Sequence, residues 1–171
     1  FDFAEAAVVS PEGLFGERGA YHEAVLGKRL KAALARLNPD LPPSAVDDAA
    51  TKVLDATFSA DPIAENRRLH GVLTRGVPVD VWENGEAVGK LARLVDWDDR
   101  ENDWLAVNQF EIVGKTARYP DITLFLNGLP LVVIELKGTE GKGLPEAFNQ
   151  IETYKDQVPD LFRANLFSVI S

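Results

Sequence analysis

The sequence predicts an α/β fold in which a mixed sheet is flanked by helices and preceded by a helical N-terminal segment. Up to Gly76, apolar residues recur at spacings of three and four, which is typical of amphipathic helices. After Gly76 the apolar residues form short runs separated by Asn-Gly and other turn signals, which is typical of strands. One more helical pattern and one more apolar run follow before the end of the chain.

Three helices are predicted before Gly76. The first spans residues 20–37, with a leucine stripe that a proline-rich segment ends: Leu26, Leu30, Leu34 and Leu37. Ser44 is the expected N-cap of the second helix, with Asp47 as its capping-box partner. The expected inner stripe of this helix contains Val46, Ala50, Val53, Leu54 and Thr57. Asp61 is the expected N-cap of the third helix, which Gly76 terminates.

Five strands, one helix and a final strand are predicted after Gly76. The five strands cover residues 77–82, 92–97, 104–113, 122–126 and 131–137. The helix covers residues 144–157, and its expected inner face consists of Leu144, Ala147, Phe148 and Ile151. Residues 166–170 are expected to return as a strand beside the others.

The composition suits one domain and excludes several classes of protein. The chain has 171 residues, 46% of them hydrophobic, which is enough for one compact core. It has no cysteine, so disulfides, thiolate catalysis and cysteine-ligated zinc are excluded, and a cytoplasmic protein is expected. No apolar run is long enough to cross a membrane. The net charge of −9 counts against a free-standing nucleic-acid binder, which usually carries a basic face.

We interpret residues 1–171 as a single domain, with a mainly helical portion in residues 1–75 and the sheet in residues 76–171. The sequence begins with Phe1 rather than Met and stops within an apolar run. We therefore expect it to be part of a longer protein.

The segment of residues 120–137 carries the strongest functional signal. Four consecutive apolar residues, Leu131 to Ile134, are typical of a strand that is buried on both faces. Glu135 and Lys137 follow, and side chains two apart on a strand share a face. A buried charge without compensation costs several kcal/mol, so charged groups at the end of a core strand require an explanation. A divalent metal ion and a phosphodiester provide one.

Asp121 and Glu135 are the carboxylates expected to bind the metal, because Mg²⁺ typically takes only one or two carboxylates from a protein. The backbone carbonyl of Leu136 is a third candidate oxygen ligand. Lys137 is expected to orient or deprotonate the attacking water, or to stabilise charge on the phosphate. Glu23 is a further candidate for a metal contact, although a glutamate on a helix is more often at the surface.

The register of the predicted hairpin decides whether the two acids can meet. A two-residue turn at Asn127-Gly128 would put Asp121 on the face opposite Glu135. A three-residue turn with Gly128 in the left-handed conformation would put both acids on one face. The site therefore requires the longer turn, or an equivalent bulge near Asp121.

Gln150 and Tyr154 form a second candidate element on the predicted helix. They are four residues apart and therefore neighbours on the helix surface. Their amide and hydroxyl groups can hydrogen-bond a phosphate without competing for the metal.

These residues resemble a known family. Asp121, residues 135–137 and the pair Gln150 and Tyr154 resemble the PD-(D/E)xK nuclease core followed by a Q-x-x-x-Y motif. More closely, residues 102–110, 124–137 and 147–155 resemble the N-terminal domain of the R (restriction) subunit of type I restriction-modification enzymes. The loop of residues 138–143 departs from the Asn-Pro that is expected after the lysine.

The resemblance implies a restriction-endonuclease-like PD-(D/E)xK fold and an endonuclease that cleaves double-stranded DNA with Mg²⁺. Asp121 and Glu135 would be the metal-binding acids, Lys137 the motif lysine, and Gln150 and Tyr154 the helix motif. In the family this domain is fused to an ATP-driven motor, so ATP would act only in that other part, and it assembles with modification and specificity subunits. Those parts would deliver the DNA, which makes the net charge of −9 compatible with a nuclease.

Two alternatives stay open. The first is a catalytically silent nuclease-like module for assembly or DNA clamping, although intact Asp121, Glu135 and Lys137 argue against it. The second is a different PD-(D/E)xK DNA-processing nuclease, such as a repair exonuclease. The absence of cysteine removes the form of that enzyme that carries a metal cluster.

Overall fold

A mixed sheet with helices on it forms the framework of the chain. The computed structural model describes residues 2–55, 61–98, 100–136 and 143–171. In chain order the elements are β1 (Asp2–Glu5), α1 (Ala6–Val9), α2 (Gly27–Leu37), α3 (Pro43–Leu54), α4 (Pro62–Arg75), β2 (Val77–Glu83), β3 (Glu86–Ala92), β4 (Trp104–Asn108), β5 (Ile112–Val113), β6 (Ala117–Arg118), β7 (Ile122–Leu126), β8 (Leu129–Glu135), α5 (Gly143–Gln157), a 3-10 turn (Pro159–Phe162) and β9 (Phe167–Ile170).

Within the described residues, the main sheet has five strands in the order β1-β4-β7-β8-β9. The inner pairs, β4 with β7 and β7 with β8, are antiparallel, and the two outer pairs are parallel. The predicted α/β class with a mixed sheet is therefore correct. The predicted final strand is present as β9, whereas β1 had no counterpart in the sequence prediction.

The helices of the N-terminal portion are present as predicted, but α2 and α3 begin at different residues from those expected. The leucine stripe of α2 is buried, and the Asp61 side chain accepts a hydrogen bond from the Ile63 backbone N–H, as expected of an N-cap. However, α2 begins at Gly27 rather than residue 20, because the backbone of Leu26 donates to the carbonyl of Gly128 at 2.9 Å. The predicted cap at Ser44 is also wrong, since α3 already begins at Pro43. Leu54 is the last residue of α3 and is 41% exposed, so its predicted place on the inner stripe is wrong, and Thr57 lies outside the described residues.

The predicted strand over residues 92–97 is wrong. Asn84 and Gly85 both have positive φ, 53° and 86°, so the chain turns back at once and residues 86–92 pair with β2. Beyond Ala92 the ladder ends, because the Asn38 side chain takes both backbone groups of Arg93: it accepts from the N–H at 2.7 Å and donates to the carbonyl at 2.9 Å.

The predicted strand over residues 104–113 is interrupted. Gln109 has φ of 51°, a left-handed conformation, and β4 ends at the residue before it. The kink turns Phe110 into the interior, where its ring meets the Phe125 ring edge-on with centroids 5.1 Å apart. Ile112 and Val113 then pair with Ala117 and Arg118 in a small separate hairpin.

The two faces of the sheet support two separate hydrophobic cores. On one face, Val132 packs with the buried sides of α2, α3, α4 and the β2–β3 hairpin. On the other, Val133 and Phe125 pack with Ile151 and Tyr154 of α5. Glu135 is two residues from Val133 and so belongs to the α5 face. Of the helices in the described ranges, none has the length and apolarity that a bilayer span requires.

Candidate functional site

The turn between β7 and β8 does not have the predicted three-residue form. Asn127 and Gly128 both have positive φ, 50° and 83°, and Leu126 pairs with Leu129, which defines a two-residue turn of type I′. The Asn127 side chain holds this turn, because it is fully buried and donates to the Leu94 carbonyl at 2.8 Å. The three-residue prediction is therefore wrong.

A β-bulge nevertheless puts the two acids on one face. Leu124 pairs with Val132 but Phe125 pairs with Pro130, so Leu131 is an extra residue in β8. Without the extra residue, the two-residue turn would put Asp121 and Glu135 on opposite faces of the sheet; the extra residue shifts the alternation of side chains in β8 by one. Ile122 then pairs with Ile134, and the next step of the same register brings Asp121 opposite Glu135. The bulge lies farther from Asp121 than the sequence suggested, but it has the required effect.

The carboxylate of Asp121 is held from two sides. Its Oδ2 accepts a hydrogen bond from the backbone N–H of Leu136 at 2.8 Å, which ties it to the end of β8. Its Oδ1 accepts from the side-chain amide of Gln109, also at 2.8 Å. Gln109 was not among the site residues predicted from the sequence. The available signal was its position: Gln109 directly follows β4, and β4 pairs with β7, which begins directly after Asp121.

Glu135 is fully buried at the opposite position, and Tyr154 lies against it. Burial raises the pKa of Tyr154 to about 12. The neighbouring carboxylate of Glu135, and more weakly that of Asp121, add to this rise, while the hydrogen bond from Gln150 opposes it. The register of β7 and β8 and the packing of Tyr154 against Val133 put the two acids and this tyrosine on the same face of the sheet.

The helix α5 provides this tyrosine, with a different buried stripe from the one predicted. Ala147, Ile151 and Tyr154 are buried, whereas Leu144 and Phe148 are more than half exposed, at 58% and 55%. The predicted inner positions of Leu144 and Phe148 are wrong because the stripe follows spacings of four and three from Ala147, which rotates both residues outward.

Gln150 and Tyr154 are in contact, as their spacing predicted. The Gln150 side-chain amide donates to the Tyr154 hydroxyl at 2.7 Å. Both residues thus belong to the region of Glu135.

Glu23 and Lys137 were also predicted from the sequence as candidate site residues. Glu23 accepts a hydrogen bond from the backbone N–H of Gly19 at 2.8 Å. It also lines a cavity with His22 and Arg163. Lys137, the motif lysine, and residues 138–142 lie outside the residues that the structure describes.

The donor set suits a hard divalent cation. Asp121 and Glu135 offer carboxylate oxygens, and Leu136 adds a backbone carbonyl directly after Glu135. Mg²⁺ commonly binds through one or two carboxylates and takes its other ligands from water and phosphate. Within the described ranges, no group of three or more histidine, cysteine, aspartate or glutamate side chains is placed to hold a metal ion.

Comparison with known protein families identifies the class to which the chain belongs. The family model described as "Type I restriction enzyme R protein N terminus" matches residues 1–171, and the chain belongs to this family.

Individual relatives support the assignment. The chain is 41% identical over 165 residues to the type I restriction enzyme HindI endonuclease subunit of Haemophilus influenzae, covering 94% of this chain and 16% of that protein. It is 28% identical over 180 residues to the putative type I restriction enzyme MjaIXP endonuclease subunit of Methanocaldococcus jannaschii, covering 100% of this chain and 17% of that protein. The chain thus spans only about a sixth of the length of these relatives.

Proposed function

We propose that this chain is the Mg²⁺-dependent endonuclease domain of a type I restriction enzyme and that it hydrolyses phosphodiester bonds of double-stranded DNA. The observation that carries the proposal is the meeting of Asp121 and Glu135 on one face, next to the Leu136 backbone. The proposed core is of the PD-(D/E)xK type. The family and the names of the relatives support a nuclease role.

The metal would be held by the carboxylates of Asp121 and Glu135 together with the Leu136 carbonyl. When bound, Mg²⁺ would lower the pKa of a bound water and neutralise charge on the phosphate. Gln109 and the Leu136 N–H hold the Asp121 carboxylate in place before substrate arrives. Lys137 would add a positive charge beside the phosphate or act on the attacking water, the role that its place in the motif suggests.

Tyr154 is proposed to act as a neutral hydrogen-bond donor. With a pKa of about 12 its hydroxyl keeps its proton at any physiological pH, so it is unsuited to be a general base. Gln150 orients that hydroxyl through the hydrogen bond between the two side chains. The pair would then fix Glu135 or a DNA phosphate rather than transfer protons.

The partners are proposed from the same family assignment. The substrate would be double-stranded DNA in the cytoplasm, and modification and specificity subunits would complete the complex. ATP would be used only by a motor region outside this sequence. Delivery of DNA by those parts would explain how a domain with a net charge of −9 works on a polyanion.

Metal binding by wild type and Glu135→Gln tests the proposal. A ligand at 100 times its dissociation constant stabilises the native state by about 2.7 kcal/mol. For a chain of this size that raises the melting temperature by roughly 5–10 °C. Wild type should show this rise with Mg²⁺ or Mn²⁺, and Glu135→Gln should lose most of it because one charged ligand is gone. Asp80→Asn, an exposed acid on β2, is the matched control and should melt like wild type.

Cleavage completes the test. In the assembled full-length enzyme, Asp121→Ala, Glu135→Gln and Lys137→Ala should each abolish DNA cleavage and leave ATP hydrolysis intact. Equal metal-induced shifts in wild type and Glu135→Gln would refute the metal site. Full cleavage by all three variants would instead favour a silent module for assembly or DNA clamping.

A further inference from the structure

Gln109 sits at the end of β4 and reaches across to Asp121 with two groups. Its backbone N–H donates to the Asp121 carbonyl at 3.0 Å, and its side-chain Nε2 donates to Asp121 Oδ1 at 2.8 Å. The main chain and the side chain of Asp121 are thus fixed by the same residue.

The backbone of Gln109 is strained, and the fold accounts for that strain. A φ of 51° is uncommon for residues other than glycine, asparagine and aspartate, and costs on the order of 1–2 kcal/mol. The kink turns the next residue, Phe110, fully into the core. This explains the backbone conformation but not the amide, since the Gln109 side chain is exposed and its hydrogen bond goes to Asp121.

The chemistry of an amide suits a partner of a metal-binding carboxylate. Each carboxylate oxygen has two lone pairs, so Asp121 can accept from Gln109 and Leu136 and still offer a lone pair on each oxygen. A lysine or arginine in place of Gln109 would orient the carboxylate as well, but its charge would repel a divalent cation. The neutral amide fixes the ligand without that repulsion.

We propose that Gln109 is a positioning residue that holds the Asp121 carboxylate in the orientation needed for metal binding. The inference rests on the proposed function, because it assigns Gln109 a role toward the proposed metal ligand. Partners of metal ligands typically contribute 10–100-fold to metal affinity. An exposed amide hydrogen bond is expected at the lower end, at roughly 10-fold.

Two variants separate the amide from the backbone kink. Gln109→Asn keeps an amide and suits the left-handed conformation better than glutamine, but its side chain is one methylene too short. Gln109→Ala removes the amide. The matched control is Asn108→Ala, because the neighbouring Asn108 makes the same kind of bond, from its amide to the Glu5 carboxylate at 3.2 Å.

The measurement is calorimetric titration of each protein with Mn²⁺, together with melting in the absence of metal. Wild type and Asn108→Ala should bind with the same affinity, while both Gln109 variants bind roughly 10-fold more weakly. Gln109→Asn should melt at or above the wild-type temperature without metal, so the loss of affinity cannot come from a damaged fold. In the assembled enzyme, Gln109→Asn should need more Mg²⁺ for half-maximal cleavage yet approach the wild-type rate at saturation.

Three results would overturn the inference. Wild-type Mn²⁺ affinity in both Gln109 variants would show that the amide does nothing for the ligand. Equal weakening in Asn108→Ala would mean that any change at this strand end has the same effect. Failure of wild type itself to bind Mn²⁺ would remove the proposed function along with the role of Gln109, and this outcome is distinguishable because it appears before any variant is compared.

Discussion

Neutralising Glu65 should destabilise the fold and make its stability depend on pH in a defined direction. Glu65 lies on α4, is 2% exposed, and accepts hydrogen bonds from Arg68 Nε at 2.9 Å, Arg68 Nη2 at 2.7 Å and Arg163 Nη2 at 2.6 Å. Arg163 follows the 3-10 turn, so this ion cluster joins α4 to the segment that leads into β9. Glu65→Gln keeps the shape of the side chain and removes its charge.

The size of the effect follows from burial. Removing one partner of a buried ion pair costs about 3–5 kcal/mol. The Arg68 side chain is 24% exposed, so water partly screens the ion cluster. We therefore expect a loss of unfolding free energy at the lower end of this range, roughly 3 kcal/mol. At about 2–4 °C per kcal/mol for a chain of this size, the melting temperature should fall by about 6–12 °C at pH 7.

The pH dependence has a definite sign. The hydrogen bonds from Arg68, helped by the one from Arg163 and opposed by burial, hold the pKa of Glu65 below its ordinary value. A carboxylate with a lowered pKa in the folded state stabilises the protein above its unfolded pKa, about 4.3, and loses that contribution as pH falls through the folded value. The difference between wild type and Glu65→Gln should therefore be full at pH 7 and shrink below about pH 4.

Thermal unfolding from pH 7 down to pH 3 measures both effects. Asp47→Asn is the control, because Asp47 pairs with Lys31 in a salt bridge whose side chains are 55% and 59% exposed, and such pairs contribute about 0–1 kcal/mol. Identical melting of Glu65→Gln and wild type at pH 7 would contradict the reasoning. So would a difference that stays constant down to pH 3.

Three further predictions follow from single residues. Gly128→Ala should lower the unfolding free energy by roughly 2–4 kcal/mol in denaturant titrations, because a Cβ at φ of 83° would approach the Leu26 carbonyl oxygen to 2.6 Å; a wild-type midpoint would contradict this. Phe125→Ala should lower the unfolding free energy by about 3–5 kcal/mol in the same assay, since the ring is fully buried. A loss below 1 kcal/mol would show that the neighbouring side chains close the cavity that the ring leaves. Tyr154→Phe should lower the cleavage rate of the assembled enzyme without moving the limbs of its pH–rate profile between pH 6 and about 10, because the pKa of Tyr154 is about 12; a shifted alkaline limb would mean that the tyrosine titrates during catalysis.

Local chemistry made much of this fold predictable. The Asp61-Pro62 start of α4, its end at Gly76 and the apolar run of β8 are determined by residues that lie next to each other in the sequence. In contrast, β1 has no strong local pattern. It forms because Phe3 and its neighbours find a parallel partner in β4 about a hundred residues away, which no local rule reveals.

The candidate site residues could be proposed from the sequence, but their geometry was harder to predict. Asp121 and Glu135 stand out because they adjoin the apolar runs of β7 and β8, and Gln150 and Tyr154 because they are four residues apart on a predicted helix. The bulge at Leu131 could not be predicted, because leucine continues an apolar strand and gives no sign of an extra residue. Gln109 was missed because its contact with Asp121 depends on the pairing of β4 with β7 and on a backbone kink that sequence rules assign to glycine or asparagine.

The extra residue in β8 has a consequence for how such sites are recognised in other sequences. For a fixed number of residues between the two acids, the turn residues and the bulge residues together decide whether the acids share a face, because each added one shifts the alternation of side chains by one. A relative with the same number of residues between the acids and a turn one residue longer would have to lose the bulge, whereas one with a turn two residues longer could keep it. Searches that demand a fixed spacer would discard sequences whose acids still meet, and searches that ignore the spacer would accept hairpins whose acids point apart. A rule that scores the turn and the bulge together would distinguish hairpins whose acids meet from hairpins whose acids point apart.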